Sequence, residues 1–234
     1  GLRDVIARVL KARQFVGRSG LQVLDAGCGT GENLRLLGEL LSPSYLGGFD
    51  VSPLAVDLSR RKVPQADVYL GDVCHPPVRG DRYDVILSCD VLCTTGWDAA
   101  RDGVRRLADA MRPAGLLILN LPAYPWLYSK HDLAVGTCER FTAAKVRGLV
   151  HELGLETELL TYRVSILFPA VVLARLPSML WRPRDVSSVH SDLRRSNPLA
   201  NRCLARILRF ENAAIIRGIR WPCGLSVFAV ARRR

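Results

Sequence analysis

The spacing of apolar and polar residues along the chain predicts strands that alternate with helices. Apolar residues recur at helical spacing over residues 2–16, which predicts an N-terminal helix before a glycine-bounded break at 17–20. Short apolar runs typical of buried strands follow, separated by longer amphipathic stretches. The predicted strands cover residues 21–25, 45–50, 67–70, 83–88, 115–121, 155–164 and 224–231, and the predicted helices cover 31–41, 53–62, 98–111 and 143–152.

This alternation is typical of an α/β fold. Right-handed crossover connections place successive strands side by side and cover both faces of the sheet with helices. We therefore expect a doubly wound, mostly parallel sheet of seven strands within a single domain. The expected parts are an N-terminal helix at 1–19, a core at 20–164, a helical insertion at 165–220, and the last strand with a basic tail at 221–234.

The insertion before the last strand is too long for an ordinary loop. Its 56 residues hold an apolar stretch at 165–181, interrupted by two prolines and an arginine, which speaks against a membrane-spanning helix. An amphipathic helix is predicted at 199–217. It places Arg202, Arg206 and Arg209 opposite Leu204, Ile207, Leu208 and Ile215. We expect the insertion to form a lid.

The net charge of +11 comes from the carboxyl-terminal third of the chain. Residues 1–159 contain 19 basic and 19 acidic side chains, whereas residues 160–234 contain 14 basic and 3 acidic ones. A one-ended surplus indicates a surface for an anion, a nucleic acid or a lipid headgroup, and a solvated arginine-rich face explains it equally well.

The cysteines and histidines argue against disulfide and metal chemistry. The seven cysteines include no C-x-x-C pair and are odd in number, and the four histidines lack the spacing of metal ligands. We therefore expect free thiols, mostly buried, and no metal. Residues 1–16 lack the apolar core of a secretory signal, from which we expect a cytoplasmic protein.

A glycine-rich segment at the first strand-to-helix junction indicates a nucleoside ligand. Gly27, Gly29 and Gly31 permit a sharp turn and a close approach of the backbone to a ligand. Asp50 ends the next strand, where nucleotide folds hold ribose hydroxyls. The spacing differs from G-x-G-x-x-G and from the phosphate-binding pattern that ends in G-K-[ST]. Because the carboxylate of Asp25 suits an ammonium group, the segment favours an amino-acid nucleoside over a dinucleotide.

Residues 25–31 resemble the signature D-x-G-x-G-x-G of class I S-adenosylmethionine-dependent methyltransferases. The resemblance extends over about residues 20–164 and implies a Rossmann-like methyltransferase fold with S-adenosyl-L-methionine as cofactor. It implies that the glycines contact the methionyl part, Asp50 the ribose and Asp72 the adenine amino group. A loop cap at Asp72 and a core position for Cys89 are the open alternatives. The predicted cofactor residues are Asp25, Gly27, Cys28, Gly29, Gly31, Asp50, Val51, Asp72, Val73, Ser88 and Cys89.

A narrower resemblance concerns the residues around the fourth and fifth strands. D-V-L at 90–92, N-L-P-A-Y-P-W-L-Y-S-K-H-D at 120–132 and T-C-E-R-F-T at 137–142 are similar to a pattern in a group of bacterial methyltransferases. Glu139 stands where that pattern has an arginine, and Phe141 stands where it has a tyrosine. The group is diverse, so the resemblance supports the enzyme class and says little about the substrate.

The segment after the fifth strand supplies the candidates for chemistry. It should cross the edge of the sheet where α/β folds bind ligands. His131 is the predicted base, because imidazole titrates near neutral pH and Asp132 is placed to orient it. A structural or substrate-positioning histidine is the alternative. Tyr128 is the second catalytic candidate, and the residues predicted to contact the substrate are Tyr124, Trp126 and Arg140.

We therefore expect methyl transfer to a small-molecule acceptor, apolar or similar to a natural product, by in-line displacement. Two alternatives stay open: an RNA methyltransferase, and a protein that uses S-adenosyl-L-methionine for other chemistry such as cyclisation. Four lysines among 33 basic residues, and no appended RNA-binding module, disfavour nucleic acid as the partner. A homodimer and peripheral contact with a membrane also stay open.

Overall fold

The computed structural model describes residues 1–78, 82–180 and 198–234, except for the side chains of residues 130, 131, 175–180 and 198–200. The strands of this part of the chain are β1 (Gln22–Ala26), β2 (Tyr45–Asp50), β3 (Asp67–Leu70), β4 (Tyr83–Cys89), β5 (Met111–Pro122), β6 (Glu156–Arg163) and β7 (Ser226–Arg232). Its helices are α1 (Leu2–Ala12), α2 (Glu32–Leu41), α3 (Pro53–Lys62), α4 (Trp97–Asp109), α5 (Lys130–Ala134), α6 (Ala143–Glu152), α7 (Phe168–Leu180) and α8 (Pro198–Ile216).

The strands form one sheet in the order β3-β2-β1-β4-β5-β7-β6. β1 to β5 are parallel, and β7 runs antiparallel between β5 and β6. This arrangement confirms the predicted doubly wound, mostly parallel sheet. Since β6 runs in the same direction as β4 and β5, all three end on one side of the sheet, together with β1 and β2. We call this side the carboxyl edge.

Helices cover both faces of the sheet. One face packs against α1, α2 and α8, which contribute the buried side chains of Ile6, Leu34 and Ile215. The opposite face packs against α4 and α6, which contribute Val104 and Val146. An amphipathic helix buries its apolar stripe, and strands that are covered on both faces read as continuous apolar runs. The apolar pattern of the sequence is therefore sufficient to predict these layers.

The start of β5 departs from the prediction. The strand begins at Met111, four residues before the predicted start, because Met111 pairs with Tyr83 at the beginning of β4. Both side chains are fully buried. A register shift follows, and Ala114 has a φ of +61°, which is typical of a bulge. Helical spacing of apolar residues up to Met111 concealed this irregular pairing from the sequence analysis.

The insertion contributes α7 and α8, and α8 agrees with the predicted helix to within one residue at each end. The buried carboxylate of Glu211 ties α8 to the end of β6. It accepts hydrogen bonds of 2.6, 2.8 and 3.0 Å from the backbone N–H groups of Val164, Ser165 and Ile166. Such charge-assisted bonds satisfy backbone groups that leave the sheet.

The outer face of α8 is basic but also partly apolar. Arg202, Arg206 and Arg209 are exposed, as predicted, and Leu204 is exposed as well, so the predicted apolar side is buried only toward the end of the helix. None of the described helices combines the length and apolarity needed to cross a membrane.

Two helical glycines give predictions of opposite sign. A Cβ at Gly103 in α4 would lie 2.1 Å from the carbonyl oxygen of Val73, so Gly103→Ala should lower the free energy of unfolding by about 1–3 kcal/mol. A Cβ at Gly148 in α6 would have nothing within 4 Å, so Gly148→Ala should raise it by about 0.4–1 kcal/mol. Urea unfolding measures both changes, and shifts of the same sign would contradict this packing.

Candidate active site

The glycine loop, residues 27–31, joins β1 to α2 at the carboxyl edge. The N–H groups of Gly27 and Cys28 both donate to the carbonyl oxygen of Phe49 at 2.9 Å, which ties the loop to β2. Gly27 has a φ of +79°, and a Cβ there would lie only 2.2 Å from Cγ2 of Val91. Glycine is therefore required at this position both for the turn and for the close approach of Val91.

The carboxylate of Asp50 connects the glycine loop with the start of α3. Its Oδ2 accepts a hydrogen bond from the Gly29 N–H at 2.9 Å, and its Oδ1 accepts one from the Ser52 N–H at 2.9 Å. Ser52 in turn caps α3 by accepting from the Ala55 N–H. Asp50 is half-buried, so these bonds hold its carboxylate at the carboxyl edge within reach of a ligand.

A cavity of about 240 Å³ opens beside the glycine loop and Asp50. Segments that follow parallel strands meet at one edge of the sheet, so residues distant in sequence share its wall. Five predicted cofactor residues line it, namely Gly27, Asp50, Val51, Asp72 and Val73. The lining residues that sequence analysis missed are Cys74, after β3, and Val91, Thr94 and Thr95, after β4.

Asp72 caps the turn after β3 and lines the cavity. Its Oδ1 accepts a hydrogen bond of 2.9 Å from the Cys74 N–H, which caps the turn after β3, and the residue also lines the cavity. The loop-capping alternative is thus present in the structure, while contact with adenine stays a prediction.

Asp25 is fully buried at the end of β1, and neither of its carboxylate oxygens has a hydrogen-bond partner among the described residues. Burial, and secondly the nearby Asp50 carboxylate, raise the pKa of Asp25 from 3.8 to about 7. An unpaired buried carboxyl group is costly unless a ligand or water supplies the partner. This orphaned acid, beside the tight loop at Gly27, fits a cofactor that carries an ammonium group.

The other predicted cofactor residues are not among those that line the described cavity. Cys28 is buried, and burial raises the pKa of its thiol to about 12, so the group stays neutral. Ser88 is fully buried and Cys89 half-buried, and burial raises the pKa of Cys89 well above its usual range. Contact with the cofactor stays a prediction for these residues and for Gly29 and Gly31, both of which have positive φ.

A buried ion pair organises the segment after β5. Arg140 donates to the two carboxylate oxygens of Asp132 at 2.8 and 3.0 Å and to the Ala123 carbonyl at 2.7 Å. Ser129 donates to the same carboxylate through its N–H and its hydroxyl. The carboxylate of Asp132, which was predicted to orient His131, therefore accepts its hydrogen bonds from Arg140 and Ser129. The side chain of His131 lies outside the described residues, and substrate contact by Arg140 stays a prediction.

Aromatic side chains cluster at the carboxyl ends of β5 and β6. The Tyr124 ring stacks on Tyr162 with centroids 5.0 Å apart and lies 5.5 Å from Trp126 and 5.7 Å from Phe168. We call these four residues the aromatic cluster. Trp126 is 50% exposed, so the cluster presents aromatic surface to solvent. Tyr128 lies nearby in sequence, and its hydroxyl donates to the Thr137 carbonyl at 2.9 Å, which leaves its catalytic role a prediction.

Three polar residues at the ends of β4, β5 and β6 form a hydrogen-bonded chain that sequence analysis did not identify. Arg163 Nη1 donates to Asn120 Oδ1 at 3.1 Å, and Asn120 Nδ2 donates to Asp90 Oδ1 at 2.9 Å. We call them the polar chain. Asp90 and Asn120 appeared only within a longer motif, and Arg163 had no signal, because the pairing of β6 with β7 brings it to this edge.

Comparisons with known proteins agree with this geometry. Residues 23–115 match the family model described as a methyltransferase domain. The chain is similar to an uncharacterised methyltransferase, YodH, of Bacillus subtilis, with 26% identity over 100 residues, which are 41% of this chain and 41% of the relative. The chain spans well under half the length of the curated relatives that it matches.

Two solved structures share the fold. An S-adenosylmethionine-dependent methyltransferase from Mesorhizobium loti has a TM-score of 0.61 at 16% identity and covers 97% of this chain and 98% of its own. Magnesium protoporphyrin IX methyltransferase from Synechocystis, with S-adenosylmethionine bound, has a TM-score of 0.57 at 17% identity, covering 100% of this chain and 78% of its own. At 16–17% sequence identity, these similarities show a shared fold.

Residues 23–115 match the methyltransferase-domain model, and the sheet order and the cavity agree with that match. The cofactor of this domain is S-adenosyl-L-methionine. Asp25, the glycine loop and Asp50 are the residues that would hold it.

Asp50→Ala should weaken the binding of S-adenosylhomocysteine, because the glycine loop loses the acceptor for its Gly29 N–H and the ligand loses a charged partner. Loss of hydrogen bonds to a charged group costs about 1.5–3 kcal/mol, or roughly 10- to 150-fold in affinity. Calorimetry measures the change. Asp57→Ala, at an exposed site on α3, is the matched control. Equal affinities for both variants would rule out this role of Asp50.

Asp25 should make the unliganded protein less stable as pH rises from about 4 to about 7. Its pKa is higher in the folded state than in the unfolded chain, so the folded state holds the proton more tightly and is disfavoured when the proton leaves. Asp25→Asn removes this contribution. Urea unfolding between pH 5 and 8 should give a difference between wild type and variant that changes with pH, and parallel curves would contradict the raised pKa.

Proposed function

We propose that this protein transfers a methyl group from S-adenosyl-L-methionine to a small, partly apolar molecule bound at the carboxyl ends of β4, β5 and β6. The observation that carries the proposal is the position of the aromatic cluster, which lies at the same edge of the sheet as the cofactor cavity. Small-molecule sites are typically lined by apolar and aromatic surface with a few polar groups.

The aromatic cluster suits an acceptor with an apolar or aromatic part. Tyr124 has a φ of +58°, an uncommon conformation for a tyrosine that turns its ring onto Tyr162. Phe168 brings the start of α7 against the same rings. Offset and tilted ring contacts of this kind provide a rigid wall on which a further flat group can stack.

The proposed reaction depends mainly on alignment. S-adenosyl-L-methionine supplies a methyl group on a sulfonium, which is already a good electrophile. Asp50 and the glycine loop hold the cofactor in one orientation, and the aromatic cluster holds the acceptor beside it. Such positioning contributes about 7–11 kcal/mol in well-oriented reactions. His131 and Tyr128 are proposed to act near the acceptor.

The described part of the insertion, residues 165–180 and 198–220, is proposed to close over the acceptor. Its described apolar residues include Ile166 and Leu173, which are 39% and 66% exposed. Exposed apolar surface of this kind is typically covered by a ligand, a second subunit or a membrane. Contact with an apolar acceptor fits best, because Phe168 at the start of α7 already belongs to the aromatic cluster.

RNA is the second candidate acceptor, because Arg202, Arg206 and Arg209 form an exposed basic stripe on α8. The test presents the protein and a labelled methyl donor with phenethylamine, tyramine, phenols, aliphatic alcohols and purified RNA. Label in a small molecule supports the proposal. Label only in RNA supports the second candidate, and cofactor consumption without methylated product indicates other chemistry.

Trp126→Ala should raise the KM for the small-molecule acceptor by about 2- to 10-fold, because a stacking partner worth roughly 0.5–1.5 kcal/mol is lost. The affinity for S-adenosylhomocysteine should be unchanged. Leu133→Ala, at a site on α5 that is 52% exposed, is the matched control and should alter neither quantity. An unchanged KM in the Trp126 variant would remove this residue from the acceptor site.

A further inference from the structure

Asp90 occupies an unusual position at the end of β4. Asp90 as a whole residue is exposed, yet desolvation by the surrounding protein raises the pKa of its carboxyl group. Asp90 directly precedes Val91, which lines the cofactor cavity and contacts the glycine loop. Asp90 is therefore the immediate chain neighbour of a residue in the cavity wall, at the carboxyl edge of the sheet.

The backbone at Asp90 is in an uncommon conformation. Its φ is +58°, and its N–H donates to the Asn120 carbonyl at 2.8 Å. Non-glycine residues with positive φ cost energy and cluster at functional sites, where the surrounding structure holds them. Here the conformation turns the side chain toward the amide of Asn120.

We propose that Asp90 is the catalytic residue that takes the proton from the acceptor, and that Asn120 and Arg163 position it. This inference rests on the proposed methyl transfer and narrows the acceptor to molecules in which the methylated atom is a hydroxyl oxygen or the nitrogen of a protonated amine. Such a group carries a proton that has to leave, whereas a thioether or a neutral tertiary amine does not.

The step balances with the groups at hand. The acceptor oxygen or nitrogen loses its proton to the Asp90 carboxylate and forms a bond to the methyl carbon, while the bond from that carbon to sulfur breaks. The electron pair of the broken bond stays on sulfur, which becomes a neutral thioether. Because Asp90 is exposed, it can return its proton to solvent before the next cycle.

Asn120 and Arg163 fix the direction of the Asp90 carboxylate. Because Arg163 donates to the amide oxygen of Asn120, the amide nitrogen must point to Oδ1 of Asp90. Oδ2 then remains for the acceptor. Arg163 is 3% exposed, and its Nε has no partner among the described residues. The carboxylates of Asp90 and Glu211 are close enough to interact electrostatically with its guanidinium group. A group that orients the base in this way is a recurrent feature of proton-transfer sites.

Among the described residues around Asp90, none of the neighbours discussed below is expected to change its charge in the pH range in which Asp90 loses its proton. On β4 and just after it, Cys89 and Cys93 face the carboxylate, and burial raises the pKa of both thiols, that of Cys93 to about 11. On β6, Arg163 stays cationic. On β5, Asn120 is uncharged. The rate should therefore rise with pH across a limb that lies above the usual carboxylate range, because the proton must leave Asp90 first.

The experiment measures kcat against pH for one hydroxyl or amine acceptor that the wild type methylates, together with calorimetric binding of S-adenosylhomocysteine. Asp90→Asn keeps the shape, tolerates positive φ and can still accept from Asn120. It should lower kcat at least about 100-fold and abolish the pH limb. Asn120→Asp loses the donor and adds a charge, so it should move the limb to higher pH. Asp98→Asn, exposed on α4, is the matched control.

Unchanged S-adenosylhomocysteine binding in all variants shows that each is folded with an intact cofactor site. A fall of less than about 5-fold in Asp90→Asn, with the pH limb retained, would overturn the inference and leave the proposed methyl transfer intact. A limb lost in His131→Ala but kept in Asp90→Asn would also overturn it. If the wild type methylates no small molecule, the proposed function itself fails.

Discussion

The two hydrogen bonds that the Asp50 carboxylate accepts hold together the two strand-to-helix junctions on which the cavity depends. They join the glycine loop after β1 to the first turn of α3 after β2, at distances of 2.9 Å each. Two adjacent strand-to-helix junctions are thereby locked into one unit. Both junctions contribute residues to the cavity wall, and Val91, after β4, completes it close to the backbone of Gly27.

The polar residues of this edge lie on a sheet that is otherwise apolar. Asp25, Asn120 and Arg163 are almost completely buried, and polar groups in such places cost free energy unless they are paired. Arg140 and Asp132 meet that cost with a bidentate ion pair that organises the segment after β5. Asp25 and Arg163 do not, since each retains an atom without a protein partner among the described residues.

Sequence analysis predicted the layers and the cofactor side of the site because both depend on local patterns. Apolar spacing separates strands from helices, and the spacing of Gly27, Gly29 and Gly31 is a property of a few consecutive residues. Asp50 followed from its position at the end of the second predicted strand, and Asp72 followed from the resemblance to class I methyltransferases. The start of β5 was predicted wrongly, because Met111 continues the helical spacing of apolar residues in the sequence. Its pairing with Tyr83 of β4 forms only in the folded sheet.

The sequence by itself determined that this chain forms a doubly wound α/β fold with a nucleoside-binding loop, since glycine positions and apolar periodicity constrain the backbone locally. Only the tertiary structure decided which polar groups meet at the carboxyl ends of β4, β5 and β6. Asp90, Asn120 and Arg163 are separated by dozens of residues, and Arg163 lies outside the motif that contains the other two. Arg163 joins them because β6 pairs with β7, which in turn pairs with β5. Likewise, Asp132 pairs with Arg140 because the segment folds back on itself, a contact that adjacency in sequence could not reveal.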